Sequence, residues 1–305
     1  MRRLLRVRAI VGILLVAAAA GISAGLFSTD IERGEADALL TGDTSKWVEV
    51  DGLPVHYKEQ GTGPALLLLH NTGMWHGVWD DWVPLLAGRF RVISPDLPGF
   101  GATGPTAAED YSMETLTDFV GGFLDALSLS EAHIAGLSLG GQLAWRWALD
   151  HPERVSSLVL LNPTGYPSRE VPAVFKLARS WAGGVIRLMG TRFILERNLS
   201  SLWGTRAGIP ADFVDRLLVS QRRAGNRDAL LKFMRTDNPT RHTEIPSLRA
   251  PIQVQWSEMI GPQEFSVDLP HAEMIYYDDL GHFPNIEAPK ESAGHALDFL
   301  LRQSR

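Results

Sequence analysis

Apolar positions along this chain follow two rhythms. Short, nearly unbroken apolar runs at residues 65–69, 91–94, 133–135, 157–161, 252–255 and 273–277 read as strands buried on both faces of a sheet. Stretches with a 3.6-residue period, at 79–86, 113–127, 140–149 and 291–301, predict helices between and after them. Ahead of these, 47–50 and 55–59 flank Asp51-Gly52-Leu53-Pro54 and predict a hairpin. Alternation of this kind predicts an α/β chain with a doubly wound, mostly parallel sheet, whose functional groups gather at the C-terminal ends of the strands.

The alternation lapses between Pro163 and Pro246. Phe175, Leu177, Trp181, Ile186, Leu188, Phe193 and Ile194 recur at helical spacing there, with no strand among them, which predicts a helical cap over about 164–245 with a small core of its own. Its arginines, Arg169, Arg179, Arg187, Arg192 and Arg197, read as a solvated face, with anionic lipid as the alternative. Residues 30–46 are polar and mixed, as in a spacer. At the start, Arg2, Arg3, Arg6 and Arg8 precede an uncharged apolar run over 9–27 that Asp30 closes. The run is long enough to cross a bilayer as a helix, which needs roughly 17–25 residues. It also reads as a cleavable signal peptide with small residues at Ala18-Ala19-Ala20, or as a peripheral helix. The division expected is therefore an anchor or signal at 1–28, a linker at 29–46 and the main domain at 47–305. Arginines on one flank keep that end inside, so the body is expected on the outer (periplasmic or extracellular) side, tethered or secreted.

Composition narrows the partners. A chain of 305 residues with 45% hydrophobic content can bury a sizeable core. The net charge is −6, but the first eight residues hold four of the 29 basic groups and none of the 35 acidic ones, so the remainder stands at −10. Such a body repels polyanions, which argues against nucleic acid. With no cysteine, disulfides, thiolate metal sites and a cysteine nucleophile are excluded.

The chemistry concentrates at Gly136-Leu137-Ser138-Leu139-Gly140-Gly141, which follows a short apolar strand and opens a helix. A serine between two glycines at such a junction sits on a turn too tight for neighbouring side chains. Its hydroxyl is exposed beside helix N–H groups that favour developing negative charge. Ser138 is the candidate nucleophile, and its alcohol needs an adjacent base. The N–H of Leu139, the next residue, is one candidate oxyanion donor.

Five motifs then carry a family resemblance. They are Leu69-His70-Asn71-Thr72-Gly73, Asp96-Leu97-Pro98-Gly99-Phe100-Gly101, the Ser138 elbow, His151-Pro152-Glu153-Arg154-Val155 and Gly281-His282-Phe283-Pro284. In this order and spacing the chain from about residue 47 resembles the α/β-hydrolase superfamily, and within it the membrane-anchored bacterial members. The resemblance implies the α/β-hydrolase fold with a helical cap, His282 as base, Thr72 as second oxyanion donor, and neither metal nor organic cofactor. Asn71 stands where the family has glycine, and asparagine tolerates left-handed backbone angles better than most residues.

The acid is the departure. Where the family places aspartate after the strand at 252–255, Trp256-Ser257-Glu258-Met259-Ile260-Gly261-Pro262 has Ile260, and the segment onward to Gly281 is short. Three readings stand: Glu258 as the acid after a loop deletion, an acid from elsewhere with Asn162 holding His282 as a neutral substitute, or no effective acid. Asp278 and Asp279 read as strand-end residues. Asp96 reads as a turn at the pocket floor. Trp75 and His76 either line the pocket or pack against the cap. The remaining histidines show no metal-like spacing, and His56 and His133 read as strand residues.

The reaction expected is acyl transfer to water on a small or medium hydrophobic ester. Hydrolysis of a carbon–carbon bond in a diketone is the nearest enzymatic alternative. A degenerate homologue that binds a ligand or partner is the non-enzymatic one.

Overall fold

The computed structural model describes residues 28–167, 173–184, 191–236 and 240–304. The arginine cluster, the apolar run at 9–27 and its cut site, Arg169, Ile186, Arg187 and Leu188 lie outside the described residues.

Before the sheet, α1 (Arg33–Leu40) occupies the region expected to be a spacer. It does not hang free. Asp37 pairs with Arg223 at 2.6 Å, Asp30 with Arg227 at 2.9 Å, and Ile31 exchanges backbone hydrogen bonds with Arg222 and Ala224. Only Ala36 and Leu40 of the helix are buried, so its docking rests on ion pairs to residues far along the chain.

Eight strands follow: β1 (Ser45–Val50), β2 (Leu53–Gln60), β3 (Ala65–Leu69), β4 (Arg91–Pro95), β5 (Ala132–Leu137), β6 (Val155–Leu161), β7 (Ile252–Ser257) and β8 (Glu273–Tyr277). They form one sheet in the order β1-β2-β4-β3-β5-β6-β7-β8. β1 and β2 make the expected hairpin through Asp51 and Gly52, at φ 50° and 79°. Positive φ at both central residues gives the turn a twist that matches the strands. β2 runs antiparallel to β4, and every pair beyond is parallel. Because the chain goes from β3 out to β4 and returns on the other side as β5, the strand order reverses there. A crevice opens at such a switch point, beside the ends of β3 and β5.

The apolar runs lack polar alternation because both faces are covered. Leu67, Leu69, Ile134, Leu158 and Leu160 face one apolar layer; Leu66, Leu68, Ala135, Leu137, Val159 and Leu161 face the other. The connecting helices are α2 (Val83–Leu86), α3 (Met113–Ala126) and α4 (Leu139–Asp150). The single helix expected at 79–86 is instead a 3₁₀ turn at His76–Trp79 and the short α2, whose first turn holds Pro84, a residue without an N–H to extend a helix backward.

Between β6 and β7 the described residues form α5 (Ala173–Ala178), α6 (Arg192–Ser200), α7 (Ala211–Arg222) and α8 (Asn226–Thr236), with no strand. Leu195, Leu199, Phe213, Leu217, Leu231 and Phe233 are buried, but Trp181 and Phe193, which share their helical spacing, are 99% and 63% exposed. Arg179, Arg192 and Arg197 are exposed. After β7 come α9 (Phe265–Asp268), α10 (Pro284–Glu287) and α11 (Pro289–Gln303), the last closing over the sheet.

Candidate active site

Ser138 sits between β5 and α4 at φ 53°, ψ −111°. A non-glycine residue held there costs about 1–3 kcal/mol, sustained only by surroundings that over-determine it. The surroundings are Gly136 and Gly140. A Cβ on Gly136 would lie 2.3 Å from the Gly140 backbone, and one on Gly140 would lie 2.0 Å from the Leu69 carbonyl. The Ser138 N–H donates to the Leu161 carbonyl at 2.9 Å, while its hydroxyl has no hydrogen-bond partner among the described residues.

Gly140 also sets the oxyanion side. Its contact with Leu69 and His70 lays the first turn of α4 against the loop after β3. Leu139 is the first residue of α4, so its N–H has no partner within the helix. Thr72, half-buried, lies in the turn Asn71–Met74 closed by a 3.3 Å hydrogen bond. The left-handed backbone falls on Gly73 (φ 72°), not on Asn71. His70 pins this loop. One ring nitrogen reaches the Asn71 carbonyl at 2.8 Å, and the other accepts from the Leu97 N–H at 2.9 Å. Burial holds its pKa down to about 4 despite nearby Asp96, as an imidazole that must accept a hydrogen bond requires.

His282 follows β8. Burial lowers its pKa to about 4, and no carboxylate offsets the shift. Its peptide is linked to the elbow through Asn162, the residue after Leu161. Asn162, at φ 42°, donates from Nδ2 to Ser257 Oγ (3.1 Å) and to the carbonyls of Gly281 (3.3 Å) and His282 (3.2 Å), and accepts from the Ser257 N–H at 2.8 Å. Asn162 thus holds the backbone of His282, not its ring.

Glu258 is not brought to His282. β7 ends at Ser257 in a one-turn 3₁₀ helix that carries Glu258 into solvent, where it makes no ion pair or hydrogen bond to the imidazole. Asp279 is engaged by Arg206 in two 2.7 Å hydrogen bonds, and Asp278 is exposed. A carboxylate that sequence reasoning missed, Glu287, accepts the N–H groups of Gly204 (2.7 Å), Gly281 (3.0 Å) and Phe283 (3.1 Å). A lone acid five residues past His282 and just before Pro289 was the available signal.

Trp75 and His76 are fully buried and belong to packing. Trp75 stacks on Phe213 of α7 at 5.3 Å, under the Arg216 guanidinium. The loop after β3 and the cap leave a cavity of about 10 Å³ between Gly73, Phe100, Ser220, Gln221, Asn226 and Leu230, room for about one water.

Asp96 is a buried hub, not an open pocket floor. Its carboxylate accepts from His56 Nδ1 (2.8 Å), His76 Nδ1 (3.0 Å), the His76 N–H (2.6 Å) and the Ala102 N–H (2.8 Å). Burial alone would raise its pKa, but His76 and His56 outweigh it and hold the carboxyl well below its usual range. His56 Nε2 continues to Ser45 Oγ at 2.7 Å. Among the described residues, His56, His76 and Asp96 are the group whose donor atoms, within 4.8 Å of one another, could hold a metal; here both Nδ1 atoms are engaged by the Asp96 carboxylate.

Comparison with known proteins decides the family. Residues 64–195 match the model of the alpha/beta hydrolase fold. A 2-hydroxy-6-oxo-6-phenylhexa-2,4-dienoate hydrolase of Comamonas testosteroni is 27% identical over 87% of this chain and 99% of its own length. The chain belongs to the α/β-hydrolase superfamily. A pimeloyl-[acyl-carrier protein] methyl ester esterase of Aeromonas hydrophila is 44% identical over 35% of this chain and 41% of its own. Among solved structures, a bacterial membrane phospholipase A superposes with TM-score 0.72 at 26% identity, covering 99% of both chains. The meta-cleavage product hydrolase of Pseudomonas fluorescens IP01 superposes with TM-score 0.74 at 22% identity over 84% of this chain and 97% of its own, a likeness of fold. This α/β-hydrolase is accordingly an enzyme, a hydrolase.

Proposed function

We propose that this hydrolase cleaves a small or medium hydrophobic ester through an acyl-enzyme at Ser138. The observation that carries the reading is the strained Ser138 backbone with its unbonded hydroxyl, set against an unpartnered helix N–H. His282 takes the Ser138 proton as the oxygen attacks the carbonyl carbon. The N–H groups of Leu139 and Thr72 stabilise the oxyanion. Collapse expels the alcohol, which receives the proton from His282. Water, deprotonated by His282, then attacks the acyl carbon and releases the acid and free Ser138. With no carboxylate on its ring among the described residues, His282 works as a weak base, and turnover is slow for a serine hydrolase. An intact oxyanion hole still sustains about 10³–10⁴ over water.

Carbon–carbon bond hydrolysis is the second reading, favoured by the name and near-complete coverage of the Comamonas relative. For location, the arginine-flanked run at 9–27 supports a membrane anchor with the body on the outer side. The exposed Trp181 and Phe193 of the cap suit a lipid interface.

The deciding experiment treats the full-length chain with a fluorophosphonate near neutral pH beside Ser138→Ala. Labelling confined to the parent is the expected result. Equal labelling, or none in a folded parent, removes the acyl-enzyme reading and leaves a pocket that binds without reacting. Comparing kcat/KM for a short p-nitrophenyl ester and for a 2-hydroxy-6-oxodienoate then separates the two reactions.

A further inference from the structure

Five consecutive backbone polar groups around His282 are all held from outside their own loop strand. The Gly281 and Phe283 N–H groups donate to Glu287. The Gly281 and His282 carbonyls accept from Asn162. Between them, the His282 N–H donates to the carbonyl of Leu202 in the cap at 2.6 Å. Glu287 is 5% exposed, and its third recorded donor is again in the cap, the Gly204 N–H at 2.7 Å.

We propose that Glu287 is a positioning residue for His282, and that the cap segment carrying Leu202 and Gly204 completes the same clasp. The inference rests on the reading of Ser138 and His282 as nucleophile and base. Where an imidazole is normally oriented by a carboxylate on its free nitrogen, here the carboxylate grips the peptide on either side. Hydrogen bonds from N–H to a buried carboxylate are roughly twice as strong as neutral ones.

The fit between cap and loop leaves little play. A Cβ on Gly281 would lie 2.2 Å from the Leu202 carbonyl, and one on Gly204 would lie 2.4 Å from the Asp279 carbonyl and 2.5 Å from the Gly281 nitrogen. At the rim, the Thr205 N–H donates to the Asp279 carbonyl at 2.9 Å, and Arg206 grips the Asp279 carboxylate. Seating the cap and placing the base are therefore one act. A misplacement of about 1 Å at a reacting group can cost about 10²-fold in rate.

The test uses full-length Glu287→Gln, which keeps the shape but turns an amide NH₂ toward N–H donors. Its readouts are the fluorophosphonate labelling rate of Ser138 from about pH 4 to about pH 9, kcat and KM on a p-nitrophenyl ester, and the folded fraction. Per folded molecule we expect kcat and labelling to fall about 10- to 100-fold with KM within about threefold. The acid limb, near pH 4 in the parent, should move toward the ordinary histidine range as the loosened loop admits water. An unchanged rate and limb per folded molecule overturn the proposal, since a purely structural Glu287 would lower only the folded fraction. Should Glu287→Gln not fold, Arg206→Gln at the exposed rim decides. A fall in kcat of about threefold at constant KM upholds the clasp, and an unchanged kcat rejects it. An unlabelled parent would instead fault the reading of Ser138, which separates the two failures.

Discussion

The bonded pair Ser45–His56 and the proposed catalytic pair Ser138–His282 are built on opposite plans. Ser45, His56 and Asp96 form an unbroken chain of hydrogen bonds at 2.7 and 2.8 Å, joined by His76, with the two histidines and Asp96 buried and Ser45 half-buried at the outer end. Ser138 and His282 have no such chain; among the described residues neither side chain has a hydrogen-bond partner, while each backbone is fixed by several. In the first pair the side chains are satisfied and serve the fold. In the second, which we propose to be catalytic, the peptides carry the order and the side chains are left unspent. A complete serine–histidine–aspartate chain is thus a poor marker of catalysis when taken alone. The proposed assignment of Ser138 rests instead on a strained backbone beneath an unbonded hydroxyl.

The widest separation between the pairs should come from Ser138→Ala, which should lower ester turnover at least about 10³-fold while leaving the thermal midpoint near that of the parent. Asp96→Asn should do the reverse. It presents a donor to donors in the core and should cost about 3 kcal/mol in chemical denaturation, with the labelling rate of the remaining folded protein unchanged. A catalytic loss as large as that of Ser138→Ala would erase the contrast.

With His282, whose pKa burial lowers alike, replaced by glutamine, acid should act on stability chiefly through His70. Its folded pKa is about 4 against an ordinary 6.5, so between those values the unfolded chain takes up a proton that the folded one refuses. Stability is whole above about pH 6.5 and falls by on the order of 3 kcal/mol as pH drops toward 4, read from denaturation midpoints. A flat profile there would mean that His70 is not held as an acceptor. Ser45→Ala should remove about 1 kcal/mol and no activity. Smallest of all, Glu258→Gln should stay within about 0.5 kcal/mol and twofold in kcat/KM; a large loss of kcat would restore Glu258 as the acid.

Much of the fold was legible because strands covered on both faces read as plain apolar runs; Leu66 to Leu69 alternate between two layers that are equally dry. The elbow was legible because it is local, with Gly136, Ser138 and Gly140 adjacent in sequence. What escaped was non-local or polar. α1 carries only two buried residues and docks through Arg223 and Arg227, more than 180 positions away, so no periodicity announces it. The Asp96 hub draws His56, His76 and Ser45 from three different elements. Asn162 reads from the sequence as a neutral substitute for the acid, but that its amide reaches carbonyls rather than the ring is settled by strand-end geometry. Glu287 lay in view and unremarked, because a carboxylate that binds backbone leaves no partner in the sequence.

The docking of α1 has a mechanical consequence. Ser28 and Asp30 are fastened to Arg227, and Asp37 to Arg223, at the junction of α7 and α8. A pull on the chain ahead of residue 28 therefore loads the cap first and reaches β1 only after this strap has peeled away. Tension at that end is a lever on the roof of the crevice, with the sheet as its fixed frame.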